Sequence, residues 1–277
     1  MVDEIKVSCW DEFEIELEKL EDKRRENKSS SEFLYRGQGD CEYLLSTTLE
    51  RYAKQPLSIK EYHHIIFVAK PQIEAFSQKR WDILSYPDGI GEWLDAFDTL
   101  LPSSFGNPQS LDTYSYMSYL RHFGFPSPLL DWSSSPYVAA YFAFRDSSPK
   151  EHVAIYVYLE SIRPIIGKLG ASDKAEINVL GPYVRSDKRH FIQQSKYTIS
   201  VRYRQGEWVY APHTEVFDLR KTENDRLGQD LLWKIKIPFS ERNNILKKLD
   251  SYNINALSIF GSEESLMETM ALRRFNF

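Results

Sequence analysis

The sequence from Tyr119 to Arg145 reads YLRHFGFPSPLLDWSSSPYVAAYFAFR and holds the densest group of unusual residues in the chain. Its first part places Arg121 and His122 beside a glycine, two prolines and several aromatic residues, a composition that is typical of a turn. Its last part predicts a buried helix, because the serines before Pro136 can cap it and the alanines and phenylalanines after it make an apolar face. We therefore interpret the other segments around this turn and helix.

The start of that helix is a candidate site for an anion. Asp131 and Trp132 precede Ser133, Ser134 and Ser135, and the first turn of a helix offers free N–H groups and the positive end of the helix dipole. The same residues also suit a structural role, in which Asp131 and the serines cap the helix and Trp132 fills the core. The sequence leaves both interpretations open.

The composition describes an ordinary globular protein. Of the 277 residues, 42% are hydrophobic and 27% charged, so the chain can bury a core without metal or disulfide help. The net charge of -5 does not favour nucleic acid as a partner of the whole chain, although local basic clusters remain compatible with it. Cys9 and Cys41 lack a metal-ligand spacing. The amino end lacks a secretion signal, and a run of about 18 apolar residues occurs nowhere. We therefore expect a cytoplasmic protein that uses no metal and no membrane.

Apolar spacing predicts mainly helices in the first half of the chain. They are expected over Ser8–Lys28 with Asp11 as a cap, over Ser46–Tyr52, over Ile59–Trp81 with a kink or break at Pro71, within Ser85–Gln109, and over Leu111–His122. Phe33–Gly39 interrupts this series as a short strand that opens into a glycine turn.

The second half alternates between strands and helices. Period-two patterns predict strands over His152–Leu159, Glu207–Tyr210, Asp230–Ile237 and Ile254–Phe260. Helices are expected over Glu241–Leu249 and Glu263–Leu272, the last with Ser262 as its cap. Together these elements predict a single α+β domain, with a helical N-terminal half packed on a mostly antiparallel, partly split sheet.

Three further features carry candidate site residues. Arg36 lies between an aromatic run and two glycines, where a guanidinium can fork onto a phosphate or carboxylate, although an arginine on a surface strand is often a solvated charge. His122 can act as a base or as a hydrogen-bonded core residue. Gln193 and Gln194 can read an amide or a base edge, or simply form polar surface.

Several segments together resemble the FRG domain family, named for a Phe/Tyr-Arg-Gly motif near its amino end. Tyr35-Arg36-Gly37-Gln38 resembles the opening motif, and RHFGFPSPLLDWSSSPYVAAYFAF resembles the signature of a histidine, a Gly-Phe-Pro turn, a Leu-Leu-Asp-Trp strand and an Ala- and Phe-rich helix. RHFIQQSKYTI from Arg189 and LKKLDSYNINALSIFGSEESL resemble later family segments. The resemblance spans about Phe33 to Leu272, which suggests an N-terminal helix over residues 1–30 and an FRG-like domain over residues 31–277.

The order of these segments also resembles that of ADP-ribosyltransferases, which bind NAD in a split sheet. The resemblance implies that an arginine holds the pyrophosphate or ribose, that a serine segment shapes the nicotinamide pocket, and that an acid stabilises the positive charge that develops at the anomeric carbon. It implies catalytic roles for Arg36, His122, Asp131, Gln194 and Glu264. It implies NAD binding by Tyr35, Arg36, Gly37, Gln38, Trp132, Ser133, Ser134, Ser135 and Arg189.

Three functions follow as alternatives. The first is an ADP-ribosyltransferase-like enzyme that uses NAD to modify a macromolecule, with the role of a toxin or antiphage effector. The second is a nucleotide or nucleic-acid binding module without chemistry, which grips phosphates with Arg36, His122 and Arg189 and stacks bases on tyrosines. The third is an interaction scaffold in which the motif residues form a polar core network, with Asp131 paired to Arg36 or His122.

Overall fold

The structure is a computed structural model that describes residues 2–83, 108–147, 150–161, 175–180, 188–219 and 229–277. Its strands are β1 (Asp3–Lys6), β2 (Phe33–Gln38), β3 (Leu130–Ser133), β4 (His152–Ser161), β5 (Glu176–Leu180), β6 (Ser195–Arg204), β7 (Glu207–Tyr210) and β8 (Gln229–Pro238). Its helices are α1 (Trp10–Glu26), α2 (Thr48–Tyr52), α3 (Ile59–Ser77), α4 (Pro108–His122), α5 (Pro136–Phe144), α6 (Lys188–Ile192), α7 (His213–Leu219), α8 (Arg242–Ser251), α9 (Ala256–Phe260) and α10 (Glu263–Phe275). A single turn of 3-10 helix, Phe239–Glu241, joins β8 to α8.

The described strands form one mixed sheet in the order β1-β8-β4-β2-β3-β6-β5, with β7 paired to the end of β6 on the edge opposite β5. β1 runs parallel to β8, and the other described pairs are antiparallel. The prediction of an α+β fold with a mostly antiparallel sheet is therefore confirmed.

The sheet opens between β2 and β3. β2 pairs with β4 along its whole length, from Phe33↔Leu159 to Gln38↔Ala154. Its described pairing with β3 is limited to Tyr35↔Ser133. Beyond that pair the two strands diverge, so Arg36 lies at the point where the sheet separates. The partly split sheet that the sequence predicted corresponds to this opening.

Helices cover both faces of the sheet. On one face α1, α5, α8 and α9 bury apolar side chains against β4 and β8, among them Phe13, Phe144, Ile155, Ile235 and Ile245. On the same face α3 and α4 pack on β6, whereas on the opposite face α7 packs against Trp132, Tyr158 and Leu232. Residues from the amino and carboxyl ends of the chain therefore share one core.

Helix α5 crosses β2 at Gly37. A Cβ atom at this position would collide with the carbonyl oxygen of Ala139 and would lie 2.7 Å from the backbone nitrogen of Ala143. Because only glycine leaves room for such close contact, Gly37 is required for α5 to lie flat on the sheet. The glycine of the Tyr-Arg-Gly motif thus has a packing role.

Several predicted elements differ from the structure. Residues 256–260 form helix α9 and not a strand, because Asn255 caps the segment and Gly261 ends it with a φ of 65°. α3 continues through Pro71, so of the two expectations, a kink or a break, the break is wrong. Asp11 does not cap α1: the N-cap is Cys9, which makes no side-chain capping hydrogen bond, and Glu12 Oε2 accepts a hydrogen bond at 2.7 Å from Ser8 N, just before the helix. β1 was not predicted. The helix expected within 85–109 lies almost wholly outside the described residues.

Candidate functional site

The candidate site is built around Arg36, which lies in the opening between β2 and β3. Its Nη1 donates to the carbonyl oxygen of Asp131 at 2.7 Å and lies 2.9 Å from Asp131 Oδ2. The side chain is 13% exposed. Arg36 Nε is buried and, like Nη2, makes no hydrogen bond to any described residue. Arg36 therefore joins the two strands with one nitrogen and keeps further donors unused.

Arg121, in the last turn of α4, holds the other side of the same carboxylate. Its Nε donates to Asp131 Oδ1 at 2.9 Å, and its Nη2 contacts the same oxygen. Burial acts to raise the pKa of Asp131, but the charges of Arg36 and Arg121 outweigh it and hold that pKa well below its usual range. Asp131 is thus an anion at neutral pH. Two guanidinium groups against one carboxylate leave a surplus positive charge.

A third arginine adds to this positive field. Burial lowers the pKa of Arg51, and the nearby charges of Arg36 and Arg121 lower it further. Arg51 comes from α2, Arg36 from β2 and Arg121 from α4. Three elements that are distant in sequence therefore bring cationic side chains to one region, and that region favours an anionic ligand.

A cavity of about 220 Å³ adjoins Arg36. It is lined by Tyr35, Arg36, Gly37, Asp131, Trp132, Ser133, Ala139, Phe142, Gln193 and Ser195. Six of the predicted site residues are thus brought together in one place. The volume is below the range of about 300–1,000 Å³ that is typical of complete ligand pockets, so it can enclose one ring or sugar of a larger ligand.

The serines before α5 are mostly engaged within the protein. Ser133 Oγ donates to Gln193 O at 2.7 Å and accepts from Ser135 N at 3.0 Å. Ser135 is the N-cap of α5, and its Oγ accepts from Val138 N at 3.3 Å. Ser134 N donates to Gln194 O. The structural interpretation of the three serines therefore accounts for these hydrogen bonds, and Ser133 alone among the serines lines the cavity.

His122 takes part in a polar cluster on the other side of β3 and does not line the cavity. Its Nε2 lies 2.8 Å from Tyr197 Oη, which also accepts a hydrogen bond from Ser118 Oγ at 3.1 Å. Tyr197 is fully buried, and burial raises the pKa of its hydroxyl. The partners of Asp131 are Arg36 and Arg121, so the proposed Asp131–His122 pair does not form.

Gln38 and Trp132 are buried, each with a hydrogen bond to the protein. Gln38 Nε2 donates to Leu44 O at 3.2 Å. Trp132 Nε1 donates to Thr198 Oγ1 at 2.8 Å, and its ring packs against that of Tyr158. Trp132 lines the cavity, whereas Gln38 anchors the loop after β2.

Arg189, Gln194 and Glu264 lie outside the cavity lining. The guanidinium of Arg189 lies over the ring of Phe260, and hydrogen bonds, first of all one from Ser262, lower the pKa of Glu264, to which the charge of Arg189 adds a smaller effect. Gln194 is exposed, with a φ of 48° in the turn between α6 and β6. The adjacent Gln193 lines the cavity instead. In the lining, the carboxylate is Asp131 and not Glu264.

Arg121 and Arg51 were not among the site residues predicted from the sequence, and of the glutamine pair only Gln194 was given a catalytic role, whereas Gln193 lines the cavity. Arg121 stands next to His122, a predicted site residue, in the stretch from Tyr119 to Arg145, so the sequence did indicate a cation at this place. Arg51 had no local signal, because its role depends on where α2 docks.

Among the described residues no group of three or more His, Cys, Asp or Glu side chains is arranged to hold a metal ion. No described helix is long and apolar enough to cross a membrane.

Comparison with known proteins found one similarity. Residues 31–152 match the family model of the FRG domain. This region is less than half of the chain and includes Arg36, Arg121 and Asp131, but not Gln193. No curated protein and no solved structure matched the chain.

Proposed function

From the premise that the chain carries an FRG domain over residues 31–152, we propose that the opening between β2 and β3 binds a nucleotide, with NAD as the first candidate. One observation carries the proposal. Arg36, 13% exposed, retains Nε and Nη2 without a partner among the described residues, beside a cavity and a second arginine.

The charge of the site suits a phosphate. Asp131 uses one oxygen on Arg36 and the other on Arg121, which holds the two guanidinium groups close together. Charge-assisted hydrogen bonds from arginine to phosphate oxygens are short and directional. A diphosphate beside this pair would neutralise the surplus charge and satisfy donors that the protein leaves unused.

The cavity suits the part of the nucleotide that carries a ring. Its walls include Tyr35, Trp132 and Phe142, and its polar groups include Ser133 and Gln193. Aromatic walls pack against flat rings, and a side-chain amide can pair with a carboxamide or a base edge. Because about 220 Å³ is too small for all of NAD, the nicotinamide or ribose would enter and the adenosine would lie outside.

Transfer of ADP-ribose is the fuller form of this proposal. The divergence of β2 and β3 at Arg36 supports it, since the resemblance implies NAD binding at a split in the sheet. The bond between the anomeric carbon and the nicotinamide nitrogen would break as a nucleophile of the acceptor bonds to that carbon. Asp131, an anion in the cavity wall, is the carboxylate available to stabilise the positive charge that develops there. Arg36 and Arg121 reduce that stabilisation, so we expect binding to be easier to detect than transfer.

The test is binding of NAD and ADP-ribose by thermal shift and calorimetry, followed by transfer of labelled NAD to cell lysate. The wild-type protein should be stabilised by NAD and ADP-ribose but not by adenosine, which lacks phosphates. Arg36→Ala should abolish the shift. Arg145→Ala is the matched control, because Arg145 pairs with Glu268 on another part of the surface.

The outcomes separate the three functions. Binding without transfer supports a nucleotide-binding module. If short RNA raises the melting temperature and NAD does not, the ligand of the site is a nucleic acid and not NAD. If Arg36→Ala lowers the melting temperature and none of the ligands stabilises the wild-type protein, the Arg36–Asp131–Arg121 network is a scaffold and the proposal fails.

A further inference from the structure

We propose that a second cavity, distinct from the one at Arg36, binds a small phosphate monoester of sugar-phosphate or mononucleotide size. This cavity has a volume of about 500 Å³ and lies between α2, the loop that leads to α3, and the ends of β6 and β7. It shares no lining residue with the cavity at Arg36. Arg51 adds to the positive field near Arg36 but lines only this second cavity, so the inference does not depend on the proposed nucleotide site.

Two cations line the cavity. Arg51 and Lys54 form part of its wall, and neither is paired with a carboxylate among the described residues. Arg51 Nη1 donates to Ser46 O at 2.8 Å, a contact that holds the guanidinium in place. A phosphate monoester carries close to two negative charges at neutral pH, so a guanidinium and an ammonium together match it.

The carboxylate in the wall cancels only part of this positive charge. Glu50 Oε1 accepts a hydrogen bond from Thr47 N at 3.1 Å in a capping box. The same oxygen lies 3.9 Å from Nδ1 of the buried His213. Glu50 is therefore held by its own helix start, and Arg51 and Lys54 leave the cavity with a net positive charge.

The floor of the cavity contains a buried hydroxyl group without a partner. Ser200, on β6, lines the cavity and is 2% exposed, and its Oγ makes no hydrogen bond to any described residue. A buried polar group left in this state costs about 1–3 kcal/mol. A hydroxyl of a ligand seated in the cavity would remove that cost, and this points to a ligand with a polar organic part.

The cavity is larger than a bare phosphate needs and has room for an organic part of the ligand. A volume of about 500 Å³ falls in the range of about 300–1,000 Å³ for small-molecule sites. Leu57 and Pro128 provide apolar walls and Tyr210 a ring. A sugar or nucleoside would contact these walls while its phosphate lies at Arg51 and Lys54 and one of its hydroxyls reaches Ser200.

The experiment titrates the full chain with ribose 5-phosphate, AMP, inorganic phosphate and adenosine by calorimetry. We expect at least one of the two phosphate monoesters to bind more tightly than inorganic phosphate and adenosine. Arg51→Gln and Lys54→Gln should each weaken this binding by about tenfold or more, since each removes a charge-assisted contact. Arg274→Gln and Lys247→Gln, at exposed positions on α10 and α8, are the matched controls and should bind as the wild type does.

Ser200→Ala distinguishes a binding role from a structural one. Since Ser200 Oγ has no partner among the described residues, its removal should leave the melting temperature of the unliganded protein unchanged or raise it, while the affinity for the monoester falls. A monoester affinity that is unchanged in Arg51→Gln and Lys54→Gln overturns the proposal. So does the absence of binding at millimolar concentrations, or binding that is lost in Arg36→Ala and not in Arg51→Gln.

Discussion

Gly37 of β2 lies directly against Ala139 of α5, so close that a side chain at position 37 would collide with the Ala139 carbonyl. The neighbouring residue, Arg36, carries the candidate site. The packing of α5 and the position of the guanidinium are therefore coupled through two adjacent residues of one strand.

Gly37→Ala should destabilise the fold strongly, because the atoms in the way belong to the backbone of α5 and cannot move aside individually. We expect a loss of about 3 kcal/mol in the free energy of unfolding, at the upper end of the cost of overpacking, measured by urea denaturation. Gly39→Ala is the control. A Cβ there would meet its nearest neighbour at 3.7 Å, so its effect should stay within about 0.5 kcal/mol. Equal stability of the two variants would contradict the role assigned to Gly37.

Asp131 should make stability depend on pH in the acid range. Its folded-state pKa is held below the ordinary value by Arg36 and Arg121 against the opposing effect of burial. The stabilisation that Asp131 provides is therefore fully present above its pKa in the unfolded chain, about 3.9, and is lost as pH falls through its lower pKa in the folded protein. The difference in free energy of unfolding between wild type and Asp131→Asn should be largest near neutral pH and shrink below about pH 4. A difference that stays constant from pH 7 to pH 3 would show that the ion pairs do not stabilise the fold.

His213 should make the protein less stable in mild acid. Burial lowers its pKa, although Glu50 opposes this, and its Nε2 lies 2.9 Å from Thr198 Oγ1, which accepts from Trp132 Nε1. Because the folded pKa is lowered, the unfolded chain binds the proton more readily, and stability falls as pH drops below the unfolded value of about 6.5. The free energy of unfolding, measured by denaturation at pH 7.5 and pH 5.5, should fall between these pH values in the wild type and should fall less in His213→Gln. An equal loss in the wild type and in His213→Gln would contradict this role of His213.

Asn255 should stabilise the start of helix α9. Its side chain accepts a hydrogen bond from Ser258 N at 2.9 Å, and Ser258 Oγ accepts from Asn255 N in return. Asn255→Ala should cost about 1 kcal/mol, the typical value for an N-cap. Asn244→Ala, at an exposed position inside α8, should cost nothing, because alanine favours helix interiors. Urea denaturation measures both, and equal values for the two variants would argue against the capping role.

Local chemistry made much of this molecule predictable. The capping serine and Pro136 predicted the start of α5, the aromatic run predicted β2, and the alternating pattern of LLWKIKIP predicted β8. These signals depend on contacts between residues near one another in sequence. The error at 254–260 arose because a short apolar run suits a buried helix as well as a strand, and the cap at Asn255 decided between them.

The choice between adjacent side chains lay beyond the sequence. Arg121 and His122 are about 100° apart around a helix, so the docking of α4 on the sheet decides which of them reaches Asp131 and which reaches Tyr197. In the same way the turn at Gln194 directs Gln193 to the cavity. β1 joins β8 across more than 220 residues of chain, a pairing that no local pattern encodes. Helix starts and strand patterns follow from the local preferences of a few neighbouring residues. The direction of a side chain and the proximity of charges follow from packing, because a rotation by one residue around a helix exchanges one partner for another.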